Sequence, residues 1–304
     1  MTEDSATTMR PGPIGRLRRE IPTALAAGAA RDPSRSASGA AWVLVAGLLF
    51  AATAVAIYAT GGYHAGFEPL NRLGGVVPGP VWQWITSLGN EHVAAALSLL
   101  FARRHPRVFW TLICAALVAS AYSRGLKPLI DAARPPAVLE PGSFHLIGEP
   151  HRRESFPSGH SVTAGVFFGV LVYYVRGVHW RLLLVLTALL TGFSRIAVGV
   201  HWPVDVAAGL AGGMLAVLPG VWLARRSPWG MLDPRVHLAF VAVAVIVSIG
   251  LPFDDGGYPA AAPMLDAVAA VALASAAFGY IIRPLLAMMS RRNTAQDGAR
   301  AGTG

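Results

Sequence analysis

The sequence predicts an all-α bundle that crosses a lipid bilayer several times, and three observations predict it. Of 304 residues, 54% are hydrophobic and 13% charged, with a mean hydropathy of +0.51, a balance too apolar for an ordinary soluble domain. The apolar residues gather into stretches long enough to cross roughly 30 Å of hydrocarbon. Between those stretches the cations collect in short segments, as the positive-inside rule produces. This placement also accounts for the net charge of +9 without a nucleic-acid partner, so none is expected.

Eight spans are placed near 40–60, 80–101, 108–126, 161–178, 182–200, 204–224, 236–253 and 264–286. The second is interrupted by Asn90, Glu91 and His92; polar groups at that depth are expected to face the bundle or a cavity, not lipid. Residues 1–38 carry Arg10, Arg16, Arg18, Arg19, Arg31 and Arg35 with no apolar core of signal-peptide type, and are expected to be a disordered cytosolic arm. The small, polar tail 291–304 is expected to be disordered too. Between them the chain divides into a six-span core, 39–226, and two additional transmembrane helices within 227–290. Cys114 is the only cysteine, which excludes an intrachain disulfide and a cysteine-based metal cluster.

An even number of spans puts both termini on one side. The clusters Arg103-Arg104-His105-Pro106-Arg107, Arg176 to Arg181, Arg225-Arg226 and Arg291-Arg292 fall there too, which makes that side cytosolic. Of the opposite loops, 61–79 holds one Arg, Arg72, and 254–263 holds Asp254 and Asp255 with no cation. Against that bias, Arg124, Lys127, Arg134, Arg152, Arg153 and Arg195 all fall on the outer side. Cations that topology does not explain point to an anionic ligand. Among the 25 Lys and Arg residues, Lys127 is the one Lys, as if a compact ammonium suited that position better than a planar fork.

Three outer segments combine the groups that phosphoryl transfer needs: Lys127 to Arg134-Pro135, Pro157-Ser158-Gly159-His160, and Ser194-Arg195 followed by His201-Trp202-Pro203-Val204-Asp205. Cations neutralise equatorial phosphate oxygens, and a preorganised cluster of them stabilises the transition state. Ser158-Gly159 opens the fourth span, where unpaired amides and the helix dipole favour an anion. Pro203 suits the first position of the sixth span. That makes Trp202 the cap and Asp205 the third helical residue, able to reach back toward His201. An Asp that fixes the His201 tautomer leaves the other ring nitrogen as a nucleophile, and His160 is then available to protonate the leaving oxygen.

These segments, K-x6-R-P, P-S-G-H and S-R-x5-H-x3-D, resemble the signature of the type-2 phosphatidic acid phosphatase superfamily at every specified position, over about residues 105–225. The resemblance implies His201 as the nucleophile that forms a phosphohistidine, His160 as acid/base, and Asp205 as the group orienting His201. It implies that Lys127, Arg134, Ser158, Gly159 and Arg195 bind phosphate, with no metal or other cofactor. It further implies a six-helix core and a site at the outer face of a bacterial cytoplasmic (inner) membrane, the partners being the bilayer and a lipid phosphate. The two spans after residue 235 depart from that pattern.

Outside the signature, His151, Arg152 and Arg153 are read either as contacts to a second phosphate or headgroup, or as a solvated loop. Residues 63–73, with Phe67, Leu70 and Leu73, are read as a connecting loop or an interfacial segment. Trp42, Trp110, Trp180 and Trp202 are assigned to aromatic belts. The function expected is hydrolysis of a lipid phosphate or diphosphate, of undecaprenyl diphosphate, phosphatidylglycerophosphate or phosphatidate type. Two rivals stand beside it: transfer of the phosphate to an acceptor such as lipid A, and transport of an anion or lipid. A transporter needs cations but neither a nucleophile nor an acid. No motif fixes the lipid or an oligomeric state.

Overall fold

The computed structural model describes residues 13–33, 35–287 and 289, which form helices and connections with no strand among the described residues. The chain opens with α1 (Pro13–Arg31) and a long apolar helix, α2 (Ala37–Gly61). Two short helices, α3 (Phe67–Gly74) and α4 (Gly79–Ser87), lead to α5 (Glu91–Ala102) and α6 (Pro106–Ile130). A single turn, α7 (Pro135–Val138), interrupts the long connection to α8 (Gly159–Tyr174), after which come α9 (Val178–Ala197) and α10 (Pro203–Arg226). The C-terminal part comprises the turn α11 (Trp229–Leu232) and two apolar helices, α12 (Pro234–Gly250) and α13 (Ala262–Ala277).

Six segments of the described residues are long and apolar enough to cross a membrane: Ala37–Gly61, Pro106–Val138, Val178–Ala197, Pro203–Arg226, Pro234–Phe253 and Pro259–Ala287. Shorter apolar helices, α5 and α8, lie between them in the chain. The expected span 80–101 is the one that differs. It is broken into α4 and α5 at Leu88-Gly89-Asn90, where Asn90 caps α5 by accepting from the His92 amide at 2.8 Å. A Cβ on Gly89 would lie 2.8 Å from the His160 carbonyl oxygen, so the bare backbone of the break is what lets it rest against the start of α8.

Helix α10 is the axis of the bundle and packs against α2, α6, α8 and α9. Its contact with α8 is backbone to backbone. A Cβ on Gly213 would stand 2.2 Å from the Val162 carbonyl oxygen, and one on Gly165 2.8 Å from that of Leu210. Small residues permit such approach between membrane helices, where packing and not hydrophobic burial drives association. Contacts climb together along the two helices, Gly209 on Ser158, Gly213 on Val162 and Gly169 on Val217, so α8 and α10 run parallel. Their N-termini therefore share one end of the bundle, and the Ser158 amide donates to the Asp205 carbonyl at 3.2 Å.

The arm expected to be disordered over 1–38 instead carries α1. Ile21, Leu25 and Ala29 are buried at four-residue spacing, one helical face, and ion pairs join Glu20 to Arg103 at 2.9 Å and Asp32 to His105 at 2.7 Å. Packing of that face is what polar composition concealed. Residues 1–12 and the tail 291–304 lie outside the described residues. At the other end of the chain, α12 and α13 pack against α5. The strip before α13 is pinned to α4, Trp84 Nε1 donating to the Ala260 carbonyl at 2.6 Å and the Ala260 amide to Gln83 Oε1 at 2.8 Å.

Candidate active site

His201 sits in the short turn between α9 and α10, 2% exposed. Its amide donates to the Arg195 carbonyl at 3.3 Å, which ties the turn to the last turn of α9. Asp205 is the third residue of α10, after Trp202 as cap and Pro203 at the first position. Its Oδ2 accepts from the Trp202 amide at 2.9 Å and from Ser155 Oγ at 2.5 Å, and lies 3.4 Å from His201 Nδ1. Tyr63, just beyond α2, donates its hydroxyl to Oδ1. The carboxylate is thus fully buried and held by three donors before the imidazole is counted. With Nδ1–H directed at Asp205, the lone pair of His201 lies on Nε2.

Burial holds the His201 imidazole well below its ordinary pKa of 6.5, and the positive charges of Arg134, Arg195 and Lys127 add to that depression. A neutral ring at physiological pH is the form that can attack. The Tyr63 phenol is pushed the other way, above its ordinary 10.0, by burial first and then by the Asp205 carboxylate. It remains a donor throughout the physiological range.

The cations differ in how they are held. Arg195 is 3% exposed; one terminal nitrogen donates to Thr86 Oγ1 at 2.7 Å and to the Tyr258 hydroxyl at 2.8 Å. Its buried Nε has no hydrogen-bond partner among the described residues, a costly arrangement for a guanidinium and one that a phosphate oxygen would relieve. Arg134 donates through Nε to the Arg153 carbonyl at 2.8 Å. Lys127 meets Glu154 at 3.7 Å, with Glu154 57% exposed. With the Glu154 carboxylate largely in solvent, a pair at that separation contributes little.

Ser158 caps α8, accepting from the Ser161 amide at 3.4 Å and the Ser161 hydroxyl at 2.9 Å. Gly159 follows, and a Cβ there would meet nothing within 4 Å. His160 lines a cavity of about 860 Å3 together with Gly159, Lys127 and Glu154. The interrupting residues Asn90, Glu91 and His92 face this same cavity, as expected for polar groups at depth. A second cavity, about 580 Å3, is bounded by Arg134, His151, Arg152, Arg153 and Glu154.

Residues 108–229 match the PAP2 superfamily. The similarity of the chain to that superfamily lies in this segment. Over 121 residues it is 36% identical to the lipid A 1-phosphatase of Rhizobium etli, covering 39% of this chain and 50% of that protein. To the undecaprenyl-diphosphatase of Sulfolobus acidocaldarius it is 29% identical over 140 residues, covering 44% of this chain and 66% of that protein. The crystal structure of Aquifex aeolicus LpxE matches with a TM-score of 0.46 and 26% identity, over 51% of this chain and 93% of that one. The match thus spans about half to two thirds of the length of these two relatives. Its apolar helices and these relatives make the chain an integral membrane protein.

Several residues that hold the site lie outside the PAP2 segment or its signature, and the sequence did not single them out. Tyr63, Thr86 and Tyr258 precede or follow the segment, and Ser155 lies within it but between motifs. Trp202 is not an interfacial belt residue: it is 1% exposed, stacks on His64 at 4.0 Å and donates to the Ala133 carbonyl at 2.8 Å. The reason is its place at the helix cap, where the ring seals the turn beside His201. Trp110 is likewise buried. Residues 63–73 form no plain loop, since Phe67 starts α3 and packs edge-on against Trp202.

Proposed function

We propose that this protein is a membrane phosphatase that removes a phosphate from a lipid phosphate or diphosphate through a phosphohistidine on His201. One observation carries the reading: a buried histidine whose Nδ1 faces a carboxylate, with three cations bearing on the same ring. In the first step Nε2 forms a bond to phosphorus while the bond from phosphorus to the leaving oxygen breaks, and His160 gives that oxygen its proton. Lys127, Arg134, Arg195 and the amides at Ser158-Gly159 take up the phosphate charge. In the second step His160 removes a proton from water, the hydroxide attacks phosphorus, and the P–N bond breaks to return neutral His201. Asp205 keeps the proton on Nδ1 throughout.

The names of the relatives suggest the substrate class, a polyprenyl diphosphate or a phosphorylated glycolipid. No step needs a metal, because the cations neutralise the phosphate, and activity is expected to survive EDTA. The site lies at the bundle end opposite the arginine clusters of Arg103–Arg107 and Arg225-Arg226, which supports an outward-facing site with cytosolic termini in a cytoplasmic membrane.

The test separates the two histidines. An aryl phosphate such as p-nitrophenyl phosphate has a leaving group that departs without a proton, so it bypasses the acid but never the nucleophile. His160→Ala is expected to form, and accumulate, an acid-labile, base-stable phosphoenzyme from it; His201→Ala is expected to form none. Label retained in His201→Ala and lost in His160→Ala would reverse the assignment, and an acid-stable label on serine would reject the mechanism.

A further inference from the structure

The cavity that contains His160 continues far beyond the groups that a phosphate needs. Its lining positions on α6 recur every three or four residues, from Phe109 through Ala116, Ser120 and Ser123 to Lys127, which is one face of a helix. At the helical rise this face runs about 27 Å, close to the roughly 30 Å of a bilayer's hydrocarbon core. The far wall comes from α12, through Phe240, Val243 and Ala244. That helix follows the PAP2 segment, which ends at residue 229. Val243 is 57% exposed, so this wall lies at the surface of the bundle.

We propose that this cavity takes the hydrocarbon chain of the phosphate substrate and that α12 is the wall that selects it; the proposal rests on the phosphatase reading above. The shape is that of an amphiphile: Arg124, Lys127 and His160 stand at the polar end beside the carboxylates Glu91, Glu154 and Asp254, with an apolar body behind them. Its volume of about 860 Å3 falls in the range of cavities that enclose most of a ligand of several hundred daltons. A chain drawn from the bilayer exchanges one apolar surrounding for another, because lipid tails are as apolar as the protein wall. Burial alone therefore adds little affinity, and what the wall contributes is acceptance or refusal by length and shape. Helix α12, which the family signature leaves unexplained, gains a role as a chain gauge beside the proposed phosphate chemistry.

The test uses the purified full chain in detergent micelles with two alkyl phosphates, butyl phosphate and hexadecyl phosphate. The wild type is expected to prefer the hexadecyl substrate by kcat/KM. Val243→Trp and Ala116→Trp, at exposed positions on opposite walls, place a ring in the compartment and should lower that preference at least about tenfold. Wild-type preference retained in both variants would overturn the proposal. An independent measurement needs no variant: hexadecyl phosphate with a mid-chain diazirine, photolysed on the wild type, should label Phe240, Val243 or Ala244. Labelling confined to residues outside the cavity would overturn it as well. Absence of phosphate release from either substrate would instead count against the phosphatase reading, and the crosslink map would still report where the chain lies.

Discussion

Tyr63→Phe removes one oxygen from a residue that touches neither phosphate nor His201, and it should still cost the proposed phosphatase most of its turnover. The phenol donates to Asp205 Oδ1, while Ser155 and the Trp202 amide serve Oδ2. Without it, Oδ1 of a fully buried carboxylate has no donor, and the group is free to turn away from His201 Nδ1, already 3.4 Å distant. A hydrogen bond to a charged group contributes about 1.5–3 kcal/mol. If that energy serves to orient the imidazole, kcat falls about 10- to 100-fold, with KM little changed because the phosphate contacts remain. The assay is steady-state phosphate release with thermal unfolding as a control for folding. A double-mutant cycle completes it: if Tyr63 acts through Asp205, then Tyr63→Phe should add little further loss in an Asp205→Asn background. Fully additive losses, or a wild-type kcat in the single variant, would refute the reasoning.

Lys127→Arg is expected to lower kcat by about 100-fold, since a wider fork in the half-buried Lys127 position misplaces a donor by about 1 Å; wild-type turnover would show that charge alone suffices. The acid limb of the kcat/KM pH profile should have its midpoint below 6.5, because His201 is depressed from that value and loses its lone pair only when protonated. A midpoint at or above 6.5 contradicts the electrostatics. The same depression makes the fold less stable as pH falls through the unfolded histidine pKa, since the unfolded chain takes up a proton that buried His201 refuses. Ser143→Cys in a Cys114→Ala background should react with an impermeant thiol reagent on intact cells, Ser143 being exposed in the connection before α8; labelling only after lysis would invert the topology. Tyr258→Phe deprives Arg195 of one of its two acceptors and should raise KM several-fold, read from initial rates, with a smaller effect on kcat.

What the sequence made legible, and what it did not, follows from the range of the signals. The cap at Trp202, the Pro203 start and the Asp205 reach-back are encoded within four consecutive residues, and the structure forms them as read. Apolar stretches announce a span by length alone, which placed seven of the eight as single helices. The span expected at 80–101 breaks at Leu88-Gly89-Asn90, where Asn90 caps α5 and a side chain on Gly89 would meet the His160 backbone. Tyr63 and Asp205 are separated by 142 residues, and Thr86 and Arg195 by 109; no periodicity joins such pairs before the chain is folded. Helix α1 was legible in principle, as Ile21, Leu25 and Ala29 recur at helical spacing, but three small apolar contacts are a weak signal among arginines.

The distribution of these supports decides what the PAP2 segment is by itself. Its catalytic candidates His160, His201 and Asp205 all lie within residues 108–229, yet several of the groups that hold the site do not. Oδ1 of Asp205 is held from the end of α2, and both acceptors of the one nitrogen that anchors Arg195 come from α4 and from the strip between α12 and α13. A guanidinium free to rotate could satisfy its own Nε, which under the proposed function would withdraw it from phosphate. Thr86 and Tyr258 prevent that by fixing the far nitrogen while leaving Nε unpaired. Helix α12, which leads into the strip that carries Tyr258, also walls the long cavity at Phe240 and Val243. Under the proposed function, the helix that walls the chain compartment runs directly into the strip that holds Arg195, so the two proposals draw on adjoining parts of the chain.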